Sequence, residues 1–265
     1  MIQQPLEVLW NKRISPAYYK IGLTGSEHYF IAKPGQFVML GFAGQTDPLL
    51  RRPFSIHNLS FANGSLTAFE LLYKVVGKVT AKLALQKPGD IIEILGPLGS
   101  GFRIPREAKH IYVVAGGIGV APLAFLVSDL GRKNVDLSHC KAFIGGRTQE
   151  DLLCESEFVQ LGISVVTTTD DGSAGDQCLV THPLEKAVDH IRPDLVVACG
   201  PMEMLACVIG ITEKYKIPCQ VSLETMMACG MGACLGCAVP CRTEPNRYLH
   251  ACLDGPVFDA DALKL

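Results

Sequence analysis

The chain has little charge and no block of it. Its 265 residues hold 24 Lys and Arg against 26 Asp and Glu, a formal net charge of −2. There is thus no basic footprint for nucleic acid and no cationic stretch for an anionic membrane surface. A basic start followed by an apolar run is also missing: "MIQQPLEVLWNKRISP" offers neither a secretory signal nor a transit peptide, which points to the cytoplasm. The uncharged runs 111–128 and 225–241 do not read as membrane spans, because both are dense in Gly or Pro. Internal repeats and low-complexity tracts are absent as well. Eleven cysteines, an odd number, in a chain without a signal sequence exclude a disulfide framework and imply reduced thiols.

What the chain does have is apolar material, 48% of its residues, enough for real cores at this length. Up to about residue 105 short β-type runs are broken by Gly, Pro and Asn: "YFIA", "QFVML", "FSIHN", "SLTAFELLYKVV", "DIIEILG". Such punctuation predicts an antiparallel barrel or sandwich. From His110 the rhythm becomes strand, loop, helix: "HIYVVA" before "APLAFLVSDLGRK", "CKAFIGG" before "TQEDLLCESEFVQLG", "DLVVACG" before "PMEMLACVIGITEKYK". That alternation predicts βαβ units on a parallel sheet. After "PCQVSLE" the periodicity stops and a Gly- and Cys-rich tail begins. The reading is a multi-domain chain with an antiparallel β-barrel over 1–106, an α/β parallel-sheet nucleotide domain over 107–222 and a small C-terminal [2Fe-2S] domain over 223–265.

The tail motivates that last assignment. Cys229, Cys234 and Cys237 give C-x4-C-x2-C, and Cys252 follows after fourteen further residues, the plant-type spacing for a [2Fe-2S] cluster. Four thiolates must converge on a small object, and Gly230, Gly232 and Gly236 let a loop wrap closely with N–H groups turned toward sulfur. A zinc site also takes four thiolates, but usually through two C-x2-C knuckles, and here the second knuckle is missing. Cys241 is the spare thiol of the segment. Met226, Met227, Met231 and Leu235 either shield the cluster or form a docking surface for an electron partner.

Gly116, Gly117 and Gly119 lie between a strand and a helix whose first turn holds Pro122, so backbone N–H groups and the helix dipole can face a pyrophosphate. The strand ends Gly145–Arg147, Thr167–Ser173 and Cys199–Met204 fall on the same carboxyl edge, where open α/β folds bind ligands. In the first domain Arg52, Pro53, Phe54 and Ser55 combine a planar cation suited to phosphate with an aromatic ring. Alone, each of these motifs also reads as ordinary turn, surface or core chemistry.

Taken in order, "RRPFS", "GGIGVAPL" and "CGPMEM" resemble the ferredoxin–NADP reductase superfamily, the first segment for FAD and the other two for a nicotinamide nucleotide. The tail "SLETMMACGMGACLGCAVPC", followed by "ACLDGPVFDADAL", is more specifically similar to the electron-transfer subunits of NAD-linked dihydroorotate dehydrogenases. The resemblance implies that Arg52, Pro53, Phe54 and Ser55, with Leu72, Tyr73 and Lys74, contact the flavin. Val79 and Thr80 stand where relatives have Gly-Thr near the flavin phosphates. Gly116, Gly117, Gly119, Cys199, Gly200 and Pro201 fall on the nicotinamide side, Cys199 either beside the nicotinamide or as a packing thiol at a strand end. Cys229, Cys234, Cys237 and Cys252 match the four cluster ligands. Arg147 matches a position that binds a 2′-phosphate in NADP-using relatives and also occurs in NAD-using ones.

The chemistry is consistent with those assignments. A nicotinamide exchanges two electrons as hydride and a [2Fe-2S] cluster exchanges one, so a flavin must stand between them. No acid, base or nucleophile of the chain is required. Once the three modules are assigned no room is left for a substrate-oxidising barrel of about 250 residues. By resemblance, an FMN-containing catalytic subunit oxidises dihydroorotate, electrons run through the cluster and FAD to NAD+, and the assembly is a heterotetramer with two copies of each subunit, serving pyrimidine biosynthesis. Two other readings stay open: the FAD/[2Fe-2S] subunit of an NADH-dependent ferredoxin:NADP oxidoreductase, and a non-redox interaction protein stabilised by zinc.

Overall fold

The computed structural model describes residues 1–25, 27–44 and 47–265. Six antiparallel strands close a barrel: β1 (Ile2–Ser15), β2 (Tyr18–Thr24), β3 (Phe37–Gly41), β4 (Arg52–Ala62), β5 (Ser65–Lys74) and β6 (Ile91–Leu98), in the order β1-β2-β5-β4-β3-β6. The long β1 makes closure possible. Its first half pairs with β6 (Ile2↔Gly96 to Glu7↔Ile91) and its second half with β2 (Val8↔Leu23 to Ser15↔Tyr18), so one strand turns the corner between two sheets. Ile21, Val38, Ile56, Leu71 and Ile94 fill the interior.

Two short helices decorate the barrel, α1 (Glu27–Phe30) and α2 (Lys78–Ala84). The "YFIA" run expected as a strand opens inside α1 instead. Tyr29 packs on Phe69 with ring centroids 4.6 Å apart and Phe30 meets Phe61 edge-on at 5.5 Å, so tertiary aromatic contacts override a local β preference.

The second layer is a sheet of β7 (Ile111–Gly116), β8 (Lys141–Gly146), β9 (Ser164–Thr169), β10 (Leu195–Cys199) and β11 (Cys219–Ser222), parallel throughout. Helices α3 (Val120–Arg132), α4 (Glu155–Gln160), α5 (Thr181–His190) and α6 (Met202–Lys214) connect them. Residues of β7 and β10 are buried along their whole length, as expected of strands covered on both faces. The expected helix over "TQEDLLCESEFVQLG" is broken: a 3-10 turn at Gln149–Asp151 is separated from α4 by Cys154 at φ 63°.

The remaining strands are β12 (Ala238–Pro240), β13 (Tyr248–His250) and β14 (Val257–Asp259). β12 and β13 pair with each other, whereas β14 joins the large sheet antiparallel to β11, giving the order β14-β11-β10-β7-β8-β9. One hydrophobic core runs through all three parts of the chain: Met39 and Leu98 of the barrel, Val196 and Val221 of the sheet, Cys237, Val239 and Cys252 of the tail. Among the described residues no helix is long and apolar enough to cross a membrane.

Candidate functional site

Strand order reverses at β7, whose successors run outward on one side to β8 and β9 and whose other neighbour is β10. A crevice is forced open beyond the carboxyl ends at such a switch point. Here it is a cavity of about 840 Å³ whose wall includes Gly116, Gly117 and Gly119 after β7, Gly200 and Pro201 after β10, and Lys74 from the barrel. Gly119 is demanded by packing: a Cβ there would sit 2.3 Å from the Cys199 carbonyl oxygen and 2.7 Å from the Gly200 nitrogen. The absent side chain brings the start of α3 directly against the end of β10, leaving bare backbone at the crevice floor.

Cys199 is not on that wall. It is buried at the end of β10, and burial pushes its thiol well above the ordinary range. Glu224, just after β11, does face the cavity, and the surrounding protein raises its carboxyl. Arg147 and Asp170 line the far side, at the ends of β8 and β9.

The flavin-strand residues fall on adjacent strands. β4 and β5 pair from Ile56 opposite Leu71 onward, while Arg52–Ser55 pair with β3 and Leu72–Lys74 with β2. Arg52 is exposed and donates to the Leu50 and Arg51 carbonyls at 2.8 and 3.2 Å. Phe54 points into the barrel, edge-on to Tyr73 at 6.1 Å, and the Tyr73 hydroxyl donates to Asn11 Oδ1 at 3.1 Å. Pro53 and Ser55 are half-buried, and Leu72 packs in the core shared with β7 and α3. Val79 lies buried in α2 outside the left-handed region, so its Cβ costs no backbone strain there. Thr80 Oγ1 accepts from the N–H groups of Val76 and Gly77 at 2.9 and 3.1 Å and donates to the Gly77 carbonyl at 3.0 Å, clamping the turn that leads from β5 into α2. Of these residues only Lys74 reaches the cavity, joined there by Val76.

The tail cysteines meet in two pairs, Cys229 beside Cys234 and Cys237 beside Cys252. Cys237 Sγ and Cys252 Sγ are 3.3 Å apart, and Cys229 Sγ accepts from the N–H groups of Met231 and Cys234, both at 3.4 Å. Gly232 donates its N–H to Cys252 Sγ at 3.1 Å. It does so at φ +82°, which an L side chain rarely adopts, with Leu253 where a Cβ would go. Gly230 is likewise left-handed, at φ +71°, whereas Gly236 is not among the positive-φ glycines. The N–H of Met231, foremost, holds the Cys229 thiol down at about 6, while burial pushes Cys252 up to about 12. A thiol set ringed by N–H donors suits anionic sulfur ligation of a metal cluster. Cys241 stands apart, its sulfur 3.3 Å from Thr243 Oγ1 and its backbone bridged to Leu263. Of the four apolar residues beside the cysteines, Met227 packs on the shared core, while Met226, Met231 and Leu235 are exposed, Met226 at 91%.

Sequence reasoning missed Tyr18 and Asp151, both on the cavity wall. The signal for Asp151 is the T-x-x-D spacing of Thr148 to Asp151, which forms a reciprocal cap. Tyr18 carries no local signal, because its role depends on a contact 133 residues away.

A closed flavin-type barrel followed by a switch-point nucleotide crevice and a four-thiol loop defines a flavin- and pyridine-nucleotide-dependent oxidoreductase with an iron–sulfur segment. Comparison with known proteins agrees: residues 6–102 match the oxidoreductase FAD-binding domain, residues 113–209 the oxidoreductase NAD-binding domain, and residues 224–264 the iron-sulfur cluster binding domain of dihydroorotate dehydrogenase B. The chain is 39% identical over 246 residues to the dihydroorotate dehydrogenase B (NAD(+)) electron transfer subunit of Desulforamulus reducens, covering 92% of each protein. It is 39% identical over 257 residues to the same subunit of Caldanaerobacter subterraneus subsp. tengcongensis, covering 96% of this chain and 95% of that protein. The structure of an NADH-dependent reduced ferredoxin-NADP oxidoreductase superposes with a TM-score of 0.83 at 27% identity, over 98% of this chain and 89% of that one. A ferredoxin NADP+ reductase from Neisseria gonorrhoeae shares the fold alone, with TM-score 0.67 and 18% identity over 80% of this chain and 91% of that one. The chain belongs to the family of dihydroorotate dehydrogenase B electron transfer subunits.

Proposed function

We propose that this chain is the electron-transfer subunit of an NAD-linked dihydroorotate dehydrogenase in the cytoplasm. An FMN-containing catalytic subunit oxidises dihydroorotate, and the electrons leave through this chain to NAD+ in an assembly of two copies of each subunit. The observation that carries the reading is the pairing of the tail cysteines, Cys229 with Cys234 and Cys237 with Cys252, among three N–H donors in a tail that is packed into both the barrel and the nucleotide sheet. Residues 1–106, 107–222 and 223–265 serve as flavin, nicotinamide and cluster modules.

In this reading Cys229, Cys234, Cys237 and Cys252 ligate a [2Fe-2S] cluster. Arg52, Pro53, Phe54, Ser55, Leu72, Tyr73, Lys74, Val79 and Thr80 build the flavin side, and Gly116, Gly117, Gly119, Gly200 and Pro201 the nicotinamide side, with the buried Cys199 packed behind them. A bound flavin supplies the exchange between one-electron and two-electron chemistry that the cluster and the nicotinamide demand. The chain's own residues bind, orient and exclude water. Exposed Met226, Met231 and Leu235 beside the cluster cysteines, with Leu253 next to Cys252, give the catalytic subunit an apolar face to cover. An all-cysteine ligand set and the 39% relatives favour this partner over the large subunit of a ferredoxin:NADP oxidoreductase.

The test is anaerobic purification with the candidate catalytic subunit, followed by iron, sulfide and flavin analysis and an absorption spectrum. Expected are FAD and a [2Fe-2S] spectrum on this chain and dihydroorotate-dependent NAD+ reduction only in the complex. A colourless, flavin-free protein containing zinc would sink the reading.

A further inference from the structure

Between barrel and sheet, on the wall of the nucleotide cavity, one carboxylate collects four donors from two modules. Asp151 Oδ1 accepts from the Tyr18 hydroxyl of β2 and from Lys74 Nζ of β5, the latter at 3.0 Å. Its Oδ2 accepts from the backbone N–H groups of Arg147 and Thr148 at 3.1 and 3.4 Å. Lys74 also lies over the Tyr18 ring, 4.8 Å from its centroid, so the two barrel groups brace each other. Asp151 is 8% exposed. Burial alone would raise its carboxyl, but the hydrogen bonds from Tyr18 and Lys74 outweigh it and hold the group ionised.

The loop that Asp151 grips is held from the other side too. The Gly146 and Arg147 carbonyls accept from the Asp170 and Asp171 N–H groups at 3.0 and 3.2 Å, and Gly146, Arg147 and Asp170 line the cavity. Gly145–Arg147 is therefore suspended between β9 and a carboxylate anchored on the flavin-side strands. An acceptor with two oxygens can serve both modules at once, which a neutral side chain of the same shape cannot do, since its N–H2 would face donors.

We propose that Asp151 is a positioning residue for nucleotide binding: it ties Lys74 of the flavin-contact strand β5 and Tyr18 of the adjacent β2 to the Arg147–Thr148 loop, and so sets the cleft in which the nicotinamide nucleotide is held. The inference rests on the reading of this cavity as the nucleotide site. Asp151 touches neither reacting group, and its effect passes through Lys74 and the loop backbone. Because the four bonds meet on one carboxylate, the effects of losing Asp151 and losing Lys74 are non-additive.

The test is equilibrium binding of NAD+ and NADP+, by anaerobic calorimetric titration, to the full chain carrying its flavin and cluster, with FAD content and melting temperature recorded alongside. For Asp151→Asn the nucleotide that the parent binds is expected to bind at least ten-fold more weakly while FAD content stays at the parent level. The Asp151→Asn, Lys74→Met double variant is expected to be no weaker than Asp151→Asn alone within two-fold. Affinity within two-fold of the parent overturns the proposal, as does full additivity of the two substitutions. A fall in FAD content matching the fall in affinity overturns it too, because a general loss of structure then explains the data. If Asp151→Asn does not fold, Tyr18→Phe carries the test: affinity at least three-fold weaker with FAD retained supports the proposal, and unchanged affinity refutes it. A parent chain that binds neither nucleotide overturns the site reading along with it, whereas a binding parent with an unaffected variant overturns only the proposal.

Discussion

Replacing Gly119 and Gly210 by alanine applies the same one-carbon change with opposite expected signs. Gly119 has φ −59° and ψ −12°, where alanine is at ease, so any cost comes from contact alone. The added Cβ would lie 2.3, 2.5 and 2.7 Å from the Cys199 oxygen, the Cys199 carbon and the Gly200 nitrogen, all backbone, whereas ordinary contact starts at 3.4 Å. The helix start and the end of β10 must separate by about 1 Å, and overpacking of this kind costs ~1–3 kcal/mol. At ~2–4 °C per kcal/mol for a chain of this size, the melting temperature falls by roughly 2–12 °C, and nucleotide affinity falls with it as the crevice floor shifts. Gly210 lies inside α6 with nothing within 4 Å of its added Cβ, so alanine there gains ~0.5–1 kcal/mol from the lost freedom of the unfolded chain. Its melting temperature rises by roughly 1–4 °C. Calorimetric melts of the two holo variants beside the parent check both. Gly119→Ala within 1 °C of the parent, or both variants moving in one direction, would refute the packing account.

Cys252→Ser is expected to abolish cluster loading, and Cys241→Ser to leave it unchanged, as read by iron and acid-labile sulfide per chain; loss of iron in the second variant would bring Cys241 into the ligand set. His57 is buried against the Ala121 carbonyl beside Lys20, Glu157 and Cys154, and burial first, then the Lys20 charge, lowers it from 6.5 to about 4. The unfolded chain takes up this proton near pH 6.5 and the folded one only near 4, so the contribution is intact above 6.5 and lost as pH falls toward 4, roughly 3 kcal/mol in all. His57→Gln should therefore flatten the urea-measured stability between pH 7.5 and 5.5 by about 1 kcal/mol relative to the parent; an unchanged slope would contradict the burial of a neutral imidazole. Native alkylation followed by mass spectrometry should label exposed Cys207 and spare buried Cys199 and half-buried Cys154, whose thiols burial raises; early labelling of Cys199 would place its sulfur in the crevice instead.

Features written in local chemistry were legible in the sequence. The apolar runs of β7, β8 and β10 announce buried parallel strands, and the C-x4-C-x2-C spacing with Cys252 announces a cysteine-rich loop in which Cys237 and Cys252 come to 3.3 Å. β1 escaped because its burial alternates only in part, with charged and polar residues along its outer side and Pro5 within it; its strand character comes from pairing with two partners. The helix expected around Leu152–Cys154 fails because Cys154 adopts a left-handed conformation that nothing in its neighbours foretells. In the sequence Asp151 is one acidic residue among several in "TQEDLLCESE". Its significance lies in Tyr18 and Lys74, brought to it by the docking of barrel on sheet, which no window along the chain contains.

β14 carries a consequence for assembly and handling. Without it β11 would be the edge of a parallel sheet, presenting a row of unpaired N–H and carbonyl groups as a template for another chain. Only a few residues separate Cys252, the last of the four tail cysteines, from the strand Val257–Asp259 that covers this edge. Edge protection and cofactor capture thus belong to one continuous stretch. Trimming the tail to obtain a simpler flavoprotein would expose a sticky margin of the nucleotide sheet, and the yield of such a truncation would be governed by aggregation more than by the loss of iron.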